Sequence, residues 1–274
     1  MIGPITDGTH RPEAAVPAGT HFEATPHEPD MDDVVLVTGG SSGIGRSLVE
    51  HLAGDYHVVT VARRIERLRD RYADDPDVTT YELDLADTSA VVSTMRTLIE
   101  EYGHVPYVVN NAGVNPTAPT TEVAPETLER AMQVNAFAPV YVMRELLPAM
   151  REHGFGRIVN VTSGAALDCP AGAGPYSASK AALNVFTVTA AREHAEEDIR
   201  INLMSPGPCR TEMAPDAPME PSACHPTADY LLELDADGPT GRFFWLGHEV
   251  PLFPDLGDIE WEAGEPGDVL DPVL

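Results

Sequence analysis

Val34-Val35-Leu36-Val37-Thr38-Gly39-Gly40-Ser41-Ser42-Gly43-Ile44-Gly45 is the stretch from which the fold can be read. Val34 to Val37 form an unbroken, mostly β-branched apolar run, the pattern of a strand buried on both faces. Glycines at 39, 43 and 45 then let the backbone turn tightly and come close to a bound group. The helix read over Gly43 to Ala53 opens with free N–H groups and the positive end of its dipole. Strand, glycine turn and helix in this order suit a bound pyrophosphate. A plain strand-to-helix connection is the alternative, because the spacing departs from G-x-G-x-x-G.

The same alternation continues outward. Strands are predicted at His57–Val61, Val78–Leu83, Tyr107–Val109, Arg157–Val161, Ile199–Leu203 and Gly241–Trp245. Helices are predicted at Arg64–Tyr72, Asp87–Glu101, Pro125–Met132, Pro139–Arg151, Tyr176–His194 and Pro226–Leu234. Strict alternation predicts an α/β, Rossmann-like, doubly wound parallel sheet of about seven strands, in a single domain over 31–250. Ligands of such sheets sit at the carboxyl ends of the strands, where the winding reverses.

Composition narrows the function. The 274 residues are 43% hydrophobic and 22% charged, ample for a buried core. Asp and Glu number 44 against 17 Lys and Arg, a net charge of −27 that repels nucleic acid and anionic membrane surfaces. No apolar run approaches a membrane span, and 1–30 lacks the pattern of a secretory signal, so a cytoplasmic protein is expected. Residues 1–33 hold seven acids against Arg11, and 248–274 hold eight acids and no base. Both ends are Pro- and Gly-rich, so 1–30 and 251–274 read as acidic, disordered tails. Cys169, Cys209 and Cys224 suggest neither disulfides nor a metal set, and the ten histidines have no ligand spacing, so no metal is expected. Cys169 reads as a packed thiol.

Two further places carry chemistry. The second strand ends Val61-Ala62-Arg63-Arg64, with no acid to accept ribose hydroxyls and two arginines suited to a 2′-phosphate, Arg63 the better placed. Surface arginines at a helix start are the alternative. Tyr176-Ser177-Ala178-Ser179-Lys180 sets a tyrosine and the chain's only lysine on one helical face. An ammonium beside a phenol favours the phenolate, lowering its pKa from about 10 toward a useful range. Ser163 follows the Arg157–Val161 strand at the carboxyl edge, where its hydroxyl can hold a carbonyl oxygen.

With these motifs in order, the chain resembles the short-chain dehydrogenase/reductase family over about 31–250. Thr38-Gly39-x-x-x-Gly43-x-Gly45, with Ser41, Ser42 and Ile44, matches its cofactor turn. Asp84 and Leu85 match the adenine-side segment, Asn110-Asn111-Ala112-Gly113 the ribose-side segment, and Pro206-Gly207 with Thr211 the nicotinamide-side segment. Asn135, Ser163, Tyr176 and Lys180 match the catalytic four. The resemblance implies NADP(H) as cofactor, Tyr176 as general acid/base, Ser163 holding the substrate oxygen, and Lys180 lowering the tyrosine pKa and bonding the ribose. It implies that Asn135 holds a proton-relay water. A small carbonyl or alcohol substrate, reduction as in carbonyl reductases and a homodimer or homotetramer are expected. The substrate wall is expected from 114–116, 165–170 and 208–225, with Met213 and Met219. Imine reduction, epimerisation or dehydration on the same residues, or NADP(H) sensing without turnover, are the other readings.

Overall fold

The computed structural model describes residues 33–253; the readings made for 1–32 and 254–274 lie outside the described residues, while 248–250, counted with the acidic C-terminal end, form a strand. Seven strands run parallel: β1 (Val34–Thr38), β2 (His57–Ala62), β3 (Val78–Glu82), β4 (Tyr107–Asn110), β5 (Gly156–Val161), β6 (Ile199–Ser205) and β7 (Phe243–Trp245). β8 (His248–Val250) pairs antiparallel with β7, completing the order β3-β2-β1-β4-β5-β6-β7-β8. The helices are α1 (Gly43–Leu52), α2 (Ile65–Tyr72), α3 (Thr88–Tyr102), α4 (Pro125–Met132), α5 (Ala138–His153), α6 (Ala165–Asp168), α7 (Gly174–Glu193) and α8 (His225–Leu232).

The period of two along β1 explains why helices cover both faces. Val34 and Leu36 join one core with Met95 and Leu98 of α3 and Leu146 and Met150 of α5. Val35 and Val37 join another with Leu48 and Leu52 of α1, Leu68 of α2 and Leu231 of α8. Every β1 residue is buried. Burying a side chain of this size contributes about 1.5–3 kcal/mol, so β1 anchors both layers at once. From β1 the chain winds outward through β2 and β3. From β4 it winds the other way through β5 and β6, leaving the switch point between β1 and β4.

Helix ends differ in a way that matters there. Asp87 caps α3 by accepting from the Ser89 and Ala90 N–H groups at 2.9 and 3.0 Å, and the Ala90 N–H leads in holding its carboxyl below its usual range. Ser42, at the start of α1, makes no such side-chain bond. The N-terminus of α1 is left open toward the carboxyl edge of the sheet.

Three elements depart from the sequence reading. β8 makes eight strands rather than about seven, and the last is not parallel. It is three residues long and largely polar, and its hairpin turns through Leu246 and Gly247 at φ 47° and 76°. Leucine in the left-handed region carries no turn signal. The α4 and α5 helices are joined by a π turn, Gln133–Phe137, where a gap was read. The one-turn helix α6 follows β5.

Candidate active site

The turns after β1 and β4 are tied together across the switch point. Thr38 Oγ1 accepts from the Asn111 and Ala112 N–H groups at 3.0 and 3.1 Å, and Asn111 Nδ2 donates to the Thr38 carbonyl at 2.9 Å. The glycines are required by this packing. A Cβ on Gly45 would lie 2.3 Å from Asn111 Nδ2 and 2.4 Å from the Gly39 carbonyl oxygen. One on Gly40 would lie 2.1 Å from Thr60 Oγ1, which donates to the Val37 carbonyl. This glycine turn lies along a cleft of about 480 Å³. Gly39, Ser41, Ser42, Gly43, Ile44 and Gly45 line it beside Asn111, Ala112 and Gly113. A glycine-rich turn and an uncapped helix start fit the pyrophosphate of a dinucleotide.

At one end of the cleft stand Arg63, Arg64, Asp84 and Leu85. Asp84 Oδ1 accepts from the Ala86 N–H at 3.0 Å, which orients the segment after β3. Arg63 is exposed and makes no ion pair among the described residues. Arg64 is not free in the same way: its Nη1 lies 3.5 Å from Glu212 Oε2 and its Nη2 3.4 Å from Ser42 Oγ. Arg67 Nη1 donates to Glu212 Oε1 at 2.8 Å. The hydrogen bond from Arg67 is the main cause holding the Glu212 carboxyl below its ordinary range. An exposed guanidinium lining the cleft fits a 2′-phosphate, and the absence of an acid at the end of β2 removes the usual acceptor for a 2′-hydroxyl.

At the other end, α7 presents Tyr176 and Lys180 to the cleft. Ser163 lies beside the Tyr176 hydroxyl and acts on it, although Ser163 itself does not line the cleft. Lys180 Nζ donates to the Val161 carbonyl at 2.7 Å, and the residue is 3% exposed. Burial pushes the Lys180 pKa down to about 8. Tyr176 moves up from 10.0, by burial against the smaller opposing effect of Ser163. The expected lowering of the tyrosine by Lys180 is therefore corrected: the phenol is governed by desolvation, and one of the three ammonium donors goes to a backbone carbonyl.

Asn135 sits in the π turn, fully buried. Its Oδ1 accepts from the Val114 N–H at 2.8 Å, and its Nδ2 donates to the Val114 carbonyl and to Ser179 Oγ at 2.8 and 2.9 Å. Through these bonds the side chain braces the Gly113–Val114 segment. A Cβ on Gly113 would lie 3.2 Å from Asn135 Oδ1 and 3.6 Å from Lys180 Nζ, so these groups adjoin.

Pro206 and Thr211 line the cleft, but Gly207 does not; at φ 80° it turns the chain against Met219. Of the expected substrate wall, Val114, Thr211, Glu212 and Met213 reach the cleft, whereas 115–116, 165–170 and Met219 do not. Cys169 is exposed at φ 49°, not packed, because α6 ends in the left-handed conformation there. No metal-binding group of His, Cys, Asp or Glu occurs among the described residues, and no described helix is long and apolar enough to cross a membrane. Arg130 and Glu212 line the cleft without a sequence signal, since each reads as an exposed charge on a helix or loop.

The family model for short chain dehydrogenase matches residues 33–221. The chain is 32% identical to a 3alpha-hydroxysteroid dehydrogenase of Mediterraneibacter gnavus over 69% of its own length and 79% of the relative's. Among solved structures, a variant of the actinorhodin polyketide ketoreductase with NADPH superposes with TM-score 0.73 at 27% identity, over 79% of this chain and 97% of that one. The 4-hydroxyisoleucine dehydrogenase complexed with NADH superposes with TM-score 0.74 at 25% identity, over 78% and 96%.

Proposed function

The chain belongs to the short-chain dehydrogenase family of oxidoreductases, and from that premise we propose that it is an NADP(H)-dependent reductase of a small ketone or aldehyde, working through Tyr176. The observation that carries the reading is the meeting of Tyr176 and the buried Lys180 with the glycine turn in one cleft. NADPH, when bound, supplies the hydride. The backbone of 39–45 and the open start of α1 hold the pyrophosphate, Asp84 and Leu85 flank the adenine, and Arg63 takes the 2′-phosphate. Asn111, Ala112, Gly113, Pro206 and Thr211 complete the binding wall. Solved relatives hold either NADPH or NADH, so the choice rests on Arg63 and on the missing acid after β2.

Ser163 and Tyr176 both bond the substrate oxygen, and Tyr176 donates its proton to that oxygen as negative charge develops. A phenol held above its ordinary pKa is fully protonated at neutral pH, the form a reduction requires. Lys180 lies behind it as a cation that polarises the site, and Asn135 keeps Gly113 and Val114 in place against it. Val114 and Met213 in the cleft wall favour an apolar carbonyl compound. Exposed Leu128, Phe137, Val185 and Phe186 on the adjoining α4, π turn and α7 support assembly with a second copy. Tyr176→Phe tests the proposal: carbonyl reduction falls at least about a hundredfold while NADPH still binds. Near-normal turnover in that variant removes the tyrosine from its role.

A further inference from the structure

The segment after β6 folds back over the cofactor cleft. A Cβ on Gly43 would lie 3.1 Å from Thr211 Cγ2, so this segment rests on the glycine turn itself. The next residue, Glu212, reaches across to the start of α2. One carboxylate oxygen accepts from Arg67 at 2.8 Å, and the other lies 3.5 Å from the Arg64 guanidinium. Arg64 also reaches Ser42 Oγ at 3.4 Å, so it spans from the glycine turn to Glu212. A negative charge thus stands on one of the two arginines that end β2, where a 2′-phosphate would carry nearly two more.

We infer that Glu212 is a specificity-determining residue that competes with the cofactor's 2′-phosphate for Arg64, while Arg67 retains the carboxylate once Arg64 turns to the phosphate. The inference rests on the proposed use of NADP(H). It assigns distinct parts to three charges: Arg63 is the standing phosphate site, Arg64 is shared, and Arg67 parks the acid. A dinucleotide without the 2′-phosphate makes no demand on Arg64 and does not feel the competition.

Calorimetric titration of the full chain with NADPH and with NADH, in wild type, Glu212→Gln, Arg64→Gln and the double variant, tests this. Glu212→Gln is expected to tighten NADPH about fivefold, the upper range for an exposed ion pair, and to leave NADH within about twofold. The gain disappears in the Arg64→Gln background and shrinks at high salt. An unchanged or weakened NADPH affinity overturns the inference, as does an equal shift for both dinucleotides or a gain that persists without Arg64. Wild-type protein that prefers NADH instead removes the cofactor reading itself, before any variant is compared, and the inference with it.

Discussion

Lys180→Met is expected to make the protein more stable and nearly inactive. Lys180 is buried, its ammonium meets the Val161 carbonyl, and burial lowers its pKa from 10.5 to about 8. At about 1.4 kcal/mol per unit, keeping it charged in the fold costs about 3 kcal/mol relative to the unfolded chain. Methionine has similar length and no charge, but it withdraws the donor from Val161, which costs about 1 kcal/mol. The net gain is about 2 kcal/mol at pH 7. Its pH dependence has a definite sign. The folded pKa lies below the unfolded one, so the unfolded chain binds more protons between about pH 8 and 10.5 and wild-type stability rises across that window. Urea unfolding of both proteins at pH 7 and pH 10 measures the gap, and taking the difference cancels titrations the two share. The variant should lead at pH 7 and lose that lead by pH 10, with turnover reduced at least about a hundredfold. A variant less stable than wild type at pH 7, or a gap that does not move with pH, refutes the reasoning.

Three other substitutions have expected outcomes. Arg63→Ala should weaken NADPH at least about tenfold, as loss of a charge-assisted phosphate contact does, with NADH nearly unchanged; parallel titrations check it, and equal weakening of both contradicts the 2′-phosphate assignment. Gly45→Ala drives a Cβ against Asn111 Nδ2 and the Gly39 carbonyl, so chemical denaturation should record a loss of about 2 kcal/mol or more, with dinucleotide binding lost in titration. Asn135→Ala strips three hydrogen bonds from the Val114–Ser179 region. It should cost about 3 kcal/mol in the same denaturation assay, because the Val114 groups are left buried without partners.

What could be read from the sequence was whatever depends on neighbours along the chain. The apolar run of β1 and its glycine turn announce a central strand and an open helix start, and both stand where expected. Tyr176 and Lys180 are brought to one cleft by helical spacing alone. What was hidden depends on packing between distant segments. The direction of the tyrosine shift is set by how deeply α7 is buried against β5 and the Ser163 loop, and no local pattern reports that. The amide of Asn135 is satisfied by Val114, 21 residues earlier, and by Ser179, 44 residues later. Glu212 meets Arg64 across 148 residues, between two exposed charges that look like ordinary surface. β8 was missed because His248-Glu249-Val250 is too short to show a strand period, and a left-handed leucine opens the turn before it.

The most direct test of the central claim is cofactor consumption followed optically, NADPH against NADH, over a panel of ketones, aldehydes and diketones, with wild type and Tyr176→Phe side by side. The account predicts turnover with NADPH well above that with NADH, and its collapse in the variant. Turnover that favours NADH, or that survives loss of the Tyr176 hydroxyl, would contradict it.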